Sequence, residues 1–113
     1  MMVYKIADAE AWRNAENSGQ FDGSPDDRRD GYIHFSTTEQ LAATLLKHYT
    51  GRSRLILAAI DSAKLGEALR WEPARGGELF PHLYGPLPLR AVLWFRPITI
   101  DSQGRHVLPA EIA

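Results

Sequence analysis

The run Arg54 to Asp61, RLILAAID, is apolar on both faces of the strand it would form. A strand with one wet face alternates polar and apolar residues. A run without that alternation is expected at the centre of a sheet, covered on both sides. A chain of 113 residues has to build that covering from little else, and it fits one small domain spanning residues 1–113.

The segments around this strand read in order. VYKIA (Val3 to Ala7) is a short opening strand. Asp8 is placed to cap a helix that carries Trp12 and Ala15 on one face and ends at Gly19. QFDGSPDDRRDG has almost no apolar content and reads as a long loop. GYIHFS (Gly31 to Ser36) is a strand whose alternation puts Tyr32, His34 and Ser36 on one face and Ile33 and Phe35 on the other. A helix follows at once, because Ser36 with Glu39, or Thr37 with Gln40, makes a capping box. Leu41, Ala42, Leu45, Leu46 and Tyr49 recur at helical spacing, and Gly51 marks the end. SAKLGEAL is a turn or short helix, and LRWEP a strand before the Gly76-Gly77 turn. LFPHLYG is a strand that Pro81 assigns to an edge or bulge. LRAVLWFRPITI is a long strand kinked or finished at Pro97, and the tail carries a turn. The expected core is Leu41, Leu45, Leu46, Ile56, Leu57, Val92, Leu93 and Trp94. Early helices followed by a series of strands point to the α+β class.

Charge excludes several partners. Thirteen Lys and Arg against fourteen Asp and Glu leave a net charge of -1, so no global attraction to nucleic acid or anionic lipid is indicated. The chain has no cysteine, which removes disulfides, thiolate catalysis and zinc-thiolate sites. The runs LILAAI and AVLWF are too short to span a bilayer. MMVYKIADAEAW lacks a basic region followed by a long apolar run, so no signal peptide is expected. A cytoplasmic protein is the expectation.

Two histidines stand out because each lies in an apolar, aromatic-rich run, where a charged ring would lose hydration. His34 is flanked by Tyr32 and Ser36 on its strand face, and His82 shares a face with Tyr84. Either ring can act as acid, base or hydrogen-bonding group near neutrality, and either reads equally as a core histidine bonded to a carbonyl. Ser36 and Thr37 are cap residues, and the free amides of the helix that they open can also hold an anion. Arg28 and Arg29 beside that strand could neutralise phosphate, or sit in a solvated loop. Trp71 reads as core or as a ring-stacking surface, and Glu72 is the carboxylate best placed for acid–base work. No H-x-H or H-E-x-x-H spacing occurs, so no metal site is expected. His48 and His106 read as surface residues.

YKI, DGYIHFST, LILAAID, LRWE and FPHLYGPL together resemble the family called domain of unknown function 952. More distantly, the run IHFSTTEQLAATLLKHYTGRSRLILAAID is similar in layout to ADP-ribosyltransferase-like proteins, among them RNA 2′-phosphotransferases. This resemblance implies an ADP-ribosyltransferase-like split, mixed β-sheet with two main helices, and a cleft between sheets that takes NAD. In that superfamily the first strand presents a histidine or arginine, where this chain has Tyr4 and Lys5. Many members carry a glutamate on a late strand, where this chain has His82 and Tyr84. The implied site is His34 and His82 as catalytic groups, with Tyr32, Ser36, Thr37, Tyr84, Arg28 and Arg29 binding a small-molecule ligand. NAD is the candidate cofactor. If the protein is an enzyme, a transferase acting on NAD or a phosphorylated nucleotide is expected. The alternative is a non-enzymatic binding or dimerisation module that uses the same aromatic cleft.

Overall fold

The apolar run is strand β4 (Leu55–Asp61), and it lies inside a four-stranded sheet with the order β1-β4-β8-β9. The computed structural model describes residues 1–112. β1 (Met2–Asp8) pairs with β4 from Met2↔Asp61 to Asp8↔Leu55. On the other side β4 pairs with β8 (Val92–Ile100), which in turn pairs with β9 (His106–Val107). β4 separates two apolar clusters. Ile56, Ala58 and Ile60 join Val3, Ala7, Trp12, Phe21, Ile33, Phe35 and Leu83 on one face. Leu55, Leu57 and Ala59 join Tyr4, Ile6, Leu41, Leu45 and Ile98 on the other. Both faces of the run are apolar because both are covered.

Helix α1 (Ala9–Ser18) covers the first face. The Asp8 carboxylate accepts from the amides of Glu10 and Ala11, Trp12 and Ala15 are buried, and Gly19 closes the helix with a left-handed φ of 92°. Helix α3 (Leu41–His48) covers the second face with Leu41 and Leu45. It is entered through a single 3-10 turn, Thr38–Gln40, whose box is made by Thr37 and Gln40: Gln40 Oε1 accepts from the Thr37 amide at 3.0 Å. The Ser36 hydroxyl is paired with Thr44 Oγ1 at 3.1 Å.

A second sheet has three strands in the order β3-β6-β5, with β3 at Ile33–His34, β5 at Leu69–Pro73 and β6 at Leu79–Leu83. Tyr4 and Ser36 exchange backbone hydrogen bonds of 2.8 and 2.9 Å, which tie this sheet to the outer edge of β1. A two-stranded ribbon joins β2 (Gln20–Phe21) to β7 (Leu87–Pro88). All these pairs are antiparallel, so the fold is α+β with antiparallel sheets, and the expected mixed sheet is corrected. Strand direction depends on how the connections run, which the alternation within a single strand does not encode. Among the described residues no helix is long and apolar enough to cross a membrane.

Other expectations are also revised. The segment from Gln20 to Gly31 is not a loop but β2 followed by helix α2 (Pro25–Asp30), capped by Ser24 with Pro25 in the first turn. Capping chemistry overrode the polarity that suggested a loop. β6 is the middle strand of its sheet rather than an edge. Pro81 fits there because β3 is only two residues long, and the Pro81 carbonyl accepts from the Phe35 amide at 3.0 Å. β8 runs through Pro97, which sits where β8 has a ladder neighbour on one side only. Leu46 (74% exposed) and Leu93 (51%) are not core, since α3 and β8 each have one face turned to solvent. The core contribution of Leu45 is therefore testable against its neighbour. Leu45→Ala should lower unfolding free energy by about 2–5 kcal/mol, and Leu46→Ala should stay within about 0.5 kcal/mol, measured by urea denaturation of both variants.

Candidate functional site

A cleft opens where the edge of β1 meets the three-stranded sheet, with α2, α3 and the turn Arg75–Gly77 as further walls. It has a volume of about 380 Å³, within the range of small-molecule sites. β3 and β6 supply its floor. His34 and His82 are direct cross-strand partners in the register of that pair, with ring centroids 5.5 Å apart. Tyr32 stacks on His82 at 4.0 Å and lies 4.7 Å from His34. The two histidines 48 positions apart in sequence thus share one cleft face, which alternation along each strand required once the strands paired.

Beneath the floor is a buried charge network centred on Asp27. Lys5 projects from β1 on the face of Val3 and Ala7, and its Nζ lies 2.8 Å from Asp27 Oδ2; both side chains are 2% exposed. Oδ2 also accepts from the Ser24 amide at 2.9 Å. Oδ1 accepts from the His34 amide at 3.1 Å and contacts His34 Nδ1 at 2.6 Å. The Lys5 ammonium donates a second bond, to the His34 carbonyl, at 3.1 Å. Burial alone would raise the Asp27 pKa. The hydrogen bond from His34, the charge and hydrogen bond of Lys5, and the Ser24 amide outweigh it and hold this carboxyl well below the usual range. Burial pushes the Lys5 pKa down, with Asp27 opposing. Gly23 is required here. Its φ is +110°, and a Cβ would come within 2.9 Å of Asp27 Cβ.

The two imidazoles are held differently. His34 Nε2 lies 3.0 Å from Asp30 Oδ2, so both of its ring nitrogens face carboxylates, an arrangement in which only the doubly protonated ring donates twice. His82 is buried at 3% exposure, and its Nδ1 lies 2.8 Å from Glu72 Oε1, which also accepts from the Tyr84 hydroxyl at 2.7 Å. The bonds from His82 and Tyr84 lower the Glu72 pKa, and donating to Glu72 raises that of Tyr84. Register places Arg70 opposite His82 and Trp71 opposite Pro81, so Trp71 points away from the histidine face.

Further basic groups come from other elements. Lys47 and His48 at the end of α3, and Arg75 in the turn after β5, line the cleft. Arg75 donates to Thr44 Oγ1 at 3.2 Å and lies over the Phe80 ring. Burial, then the charges of Arg75 and Lys47, lower the His48 pKa, with Asp26 opposing.

Of the residues singled out in sequence, His34, His82, Tyr32, Ser36 and Arg29 line this cleft. Tyr84 is 38% exposed at its margin, where its ring stands 5.3 Å from that of Tyr32. Thr37 is buried in the capping box and is not part of the lining. Arg28 borders a separate, smaller depression with Gly31, Gly85 and Pro86. Arg29 is ion-paired to Asp26 and Asp30, which takes up its charge. His48 is exposed, as expected, and also lines the cleft. Sequence reading missed Asp27, Asp30, Thr44, Lys47 and Arg75. The one available signal was Ser24-Pro25-x-Asp27, a capping pattern that makes α2 and so aims Asp27 inward. Among the described residues no group of three or more His, Cys, Asp or Glu could hold a metal ion.

A family model described as a protein of unknown function (DUF952) matches residues 6–95. The chain belongs to this DUF952 family. The crystal structure of protein CC0527 from Caulobacter crescentus is similar over 99% of this chain and 98% of that one, with 38% identity and a TM-score of 0.93. A double mutant of CC0527 gives the same values. The solution structure of CC0527 covers 92% of this chain and 90% of that one at 40% identity, with a TM-score of 0.83. No curated protein matches the chain. The DUF952 fold of this chain is therefore built around a cleft floored by two histidines.

The Asp27 network yields a stability prediction. Lys5→Met leaves a buried carboxylate short of its cation and should cost about 3–5 kcal/mol. Because the folded pKa of Asp27 lies below its unfolded value of about 3.9, its contribution is fully present above that value and is lost as pH falls toward the folded pKa. Asp27→Asn should therefore flatten the acid limb of the stability curve, measured by urea denaturation from neutral to strongly acidic pH.

Proposed function

We propose that the cleft of this cytoplasmic protein binds a phosphate-bearing nucleotide, with NAD or an ADP-ribosyl compound as the leading candidate. The observation that carries this reading is the division of charge in the lining. Carboxylates Asp26 and Asp30 come from α2, where Arg29 pairs with both, and the further cations Lys47 and Arg75 come from α3 and the turn after β5. A nucleotide has both chemistries. Its phosphates suit the guanidinium and ammonium groups, and its ribose hydroxyls are donors to carboxylates. The Tyr32 ring, stacked on His82, offers an aromatic surface beside both. This division also reassigns the phosphate contact from Arg28 and Arg29 to Arg75 and Lys47.

The ADP-ribosyltransferase-like reading of the fold is supported in outline by two sheets with a cleft at their junction. Fold analogy carries little functional weight by itself, so the charged lining is the stronger argument. Neither Tyr4 nor Lys5 offers a free cation to a ribose: Lys5 is locked to Asp27, and Tyr4 contributes the 6.2 Å ring contact with Trp94.

Thermal shift and calorimetry with AMP, ADP-ribose and NAD test the proposal. A ligand at one hundred times its Kd should stabilise the fold by about 2.7 kcal/mol. Arg75→Ala should weaken binding about tenfold, the loss of one charge-assisted contact. Absence of stabilisation by all three compounds, or an unchanged Kd in Arg75→Ala, would sink the nucleotide reading.

A further inference from the structure

We propose that His82, and not His34, is the histidine that contacts the ligand, accepting a hydrogen bond at Nε2 from a hydroxyl of a sugar-bearing ligand, with Glu72 as its positioning residue. The inference rests on reading the cleft as a ligand site, but not on the ligand being a nucleotide.

The two rings have unequal freedom. Both nitrogens of His34 are engaged, Nδ1 by Asp27 at 2.6 Å and Nε2 by Asp30 at 3.0 Å. A ligand reaching His34 would first have to displace a carboxylate. For His82 only Nδ1 is engaged, by Glu72 at 2.8 Å. Among the described residues no protein group partners its Nε2. That atom is not sealed in the core, as the unpaired Trp12 Nε1 is; it belongs to a side chain that lines the cleft.

Glu72 decides what Nε2 offers. A carboxylate can only accept, so the proton of the neutral ring sits on Nδ1, and Nε2 presents a lone pair. The Tyr84 hydroxyl holds Glu72 Oε1 from the other side at 2.7 Å, and Tyr32 fixes the ring plane by stacking at 4.0 Å. A ring held by Glu72 and Tyr32, with its single free atom an acceptor, selects a donor. Phosphate oxygens are acceptors at neutral pH and gain nothing there; a sugar hydroxyl does. The 96% burial of the His82 side chain strengthens that selection, because an unmatched polar atom is costly away from water.

Nitrogen-15 NMR of the histidine rings in the whole chain tests this directly. In its neutral form His82 should be protonated at Nδ1 and bare at Nε2. Adding ADP-ribose, and separately free ribose, should shift the His82 Nε2 resonance, and inorganic pyrophosphate should leave it in place. Glu72→Gln, at a partly exposed position that the fold tolerates, should let the Nε2-protonated form appear and weaken the ribose response several-fold. A purely structural Glu72 would leave the tautomer unchanged, which overturns its assigned role. A His82 ring protonated at Nε2 in the native chain overturns the inference. So does an Nε2 resonance that moves with neither ADP-ribose nor free ribose, whatever calorimetry finds for nucleotides. A response to free ribose without binding of AMP, ADP-ribose or NAD supports the inference and removes the nucleotide reading instead.

Discussion

A carboxylate buried between two sheets has to be satisfied on both oxygens, and Asp27 is. Its four donors come from three parts of the chain: the Lys5 ammonium from β1, the Ser24 amide from the start of α2, and the amide and ring of His34 from β3. One side chain thereby ties together the edge of the four-stranded sheet, a short helix and the edge of the three-stranded sheet. A pair of this kind adds little net stability relative to apolar packing, because two charges have lost their hydration. Its value lies in geometry. Any shift of α2 relative to β1 would strand an ion in the core, so the arrangement has one acceptable position.

The cleft depends on that position. With α2 fixed, Asp26 and Asp30 reach the opening from a helix only six residues long, and His34 is clamped between Asp27 and Asp30. The Tyr4–Ser36 bridge sets the depth of the junction, and the Ser36 and Thr44 hydroxyls carry it across to α3, where Arg75 also docks. The result is a floor with two histidines of different character. His34 is part of the scaffold's chain of hydrogen bonds, and His82 is held at Nδ1 by Glu72 and lines the cleft. An orienting carboxylate on one ring nitrogen with the other nitrogen free is how proteins fix an imidazole tautomer.

Much of the fold was legible in the sequence because local chemistry and tertiary packing agreed. Asp8 and Gly19 cap α1 as their residue types prescribe, Thr37 and Gln40 open the turn into α3, and the unbroken apolar run of β4 lies between two covered faces. The failures share a cause. α2 was hidden because five of its six residues are charged, so no apolar period existed to reveal it, and its burial comes through an ion pair that periodicity does not register. Leu46 and Leu93 are apolar residues on faces that nothing covers, and the spacing of a helix or strand does not say where its neighbours stop.

The sequence by itself determined β1, β4, β8 and the two longer helices, and which side of β3 and β6 each histidine occupies, because alternation and capping act within a few residues. Only the tertiary structure decided that β3 and β6 pair with His34 directly opposite His82, that Lys5 meets Asp27 across 22 positions, and that Lys47, His48 and Arg75 line the same opening. Pairing partners are chosen by the global arrangement of sheets. The character of each ring is then set by carboxylates seven and ten positions away in the chain, Asp27 for His34 and Glu72 for His82, and no short-range rule predicts such contacts.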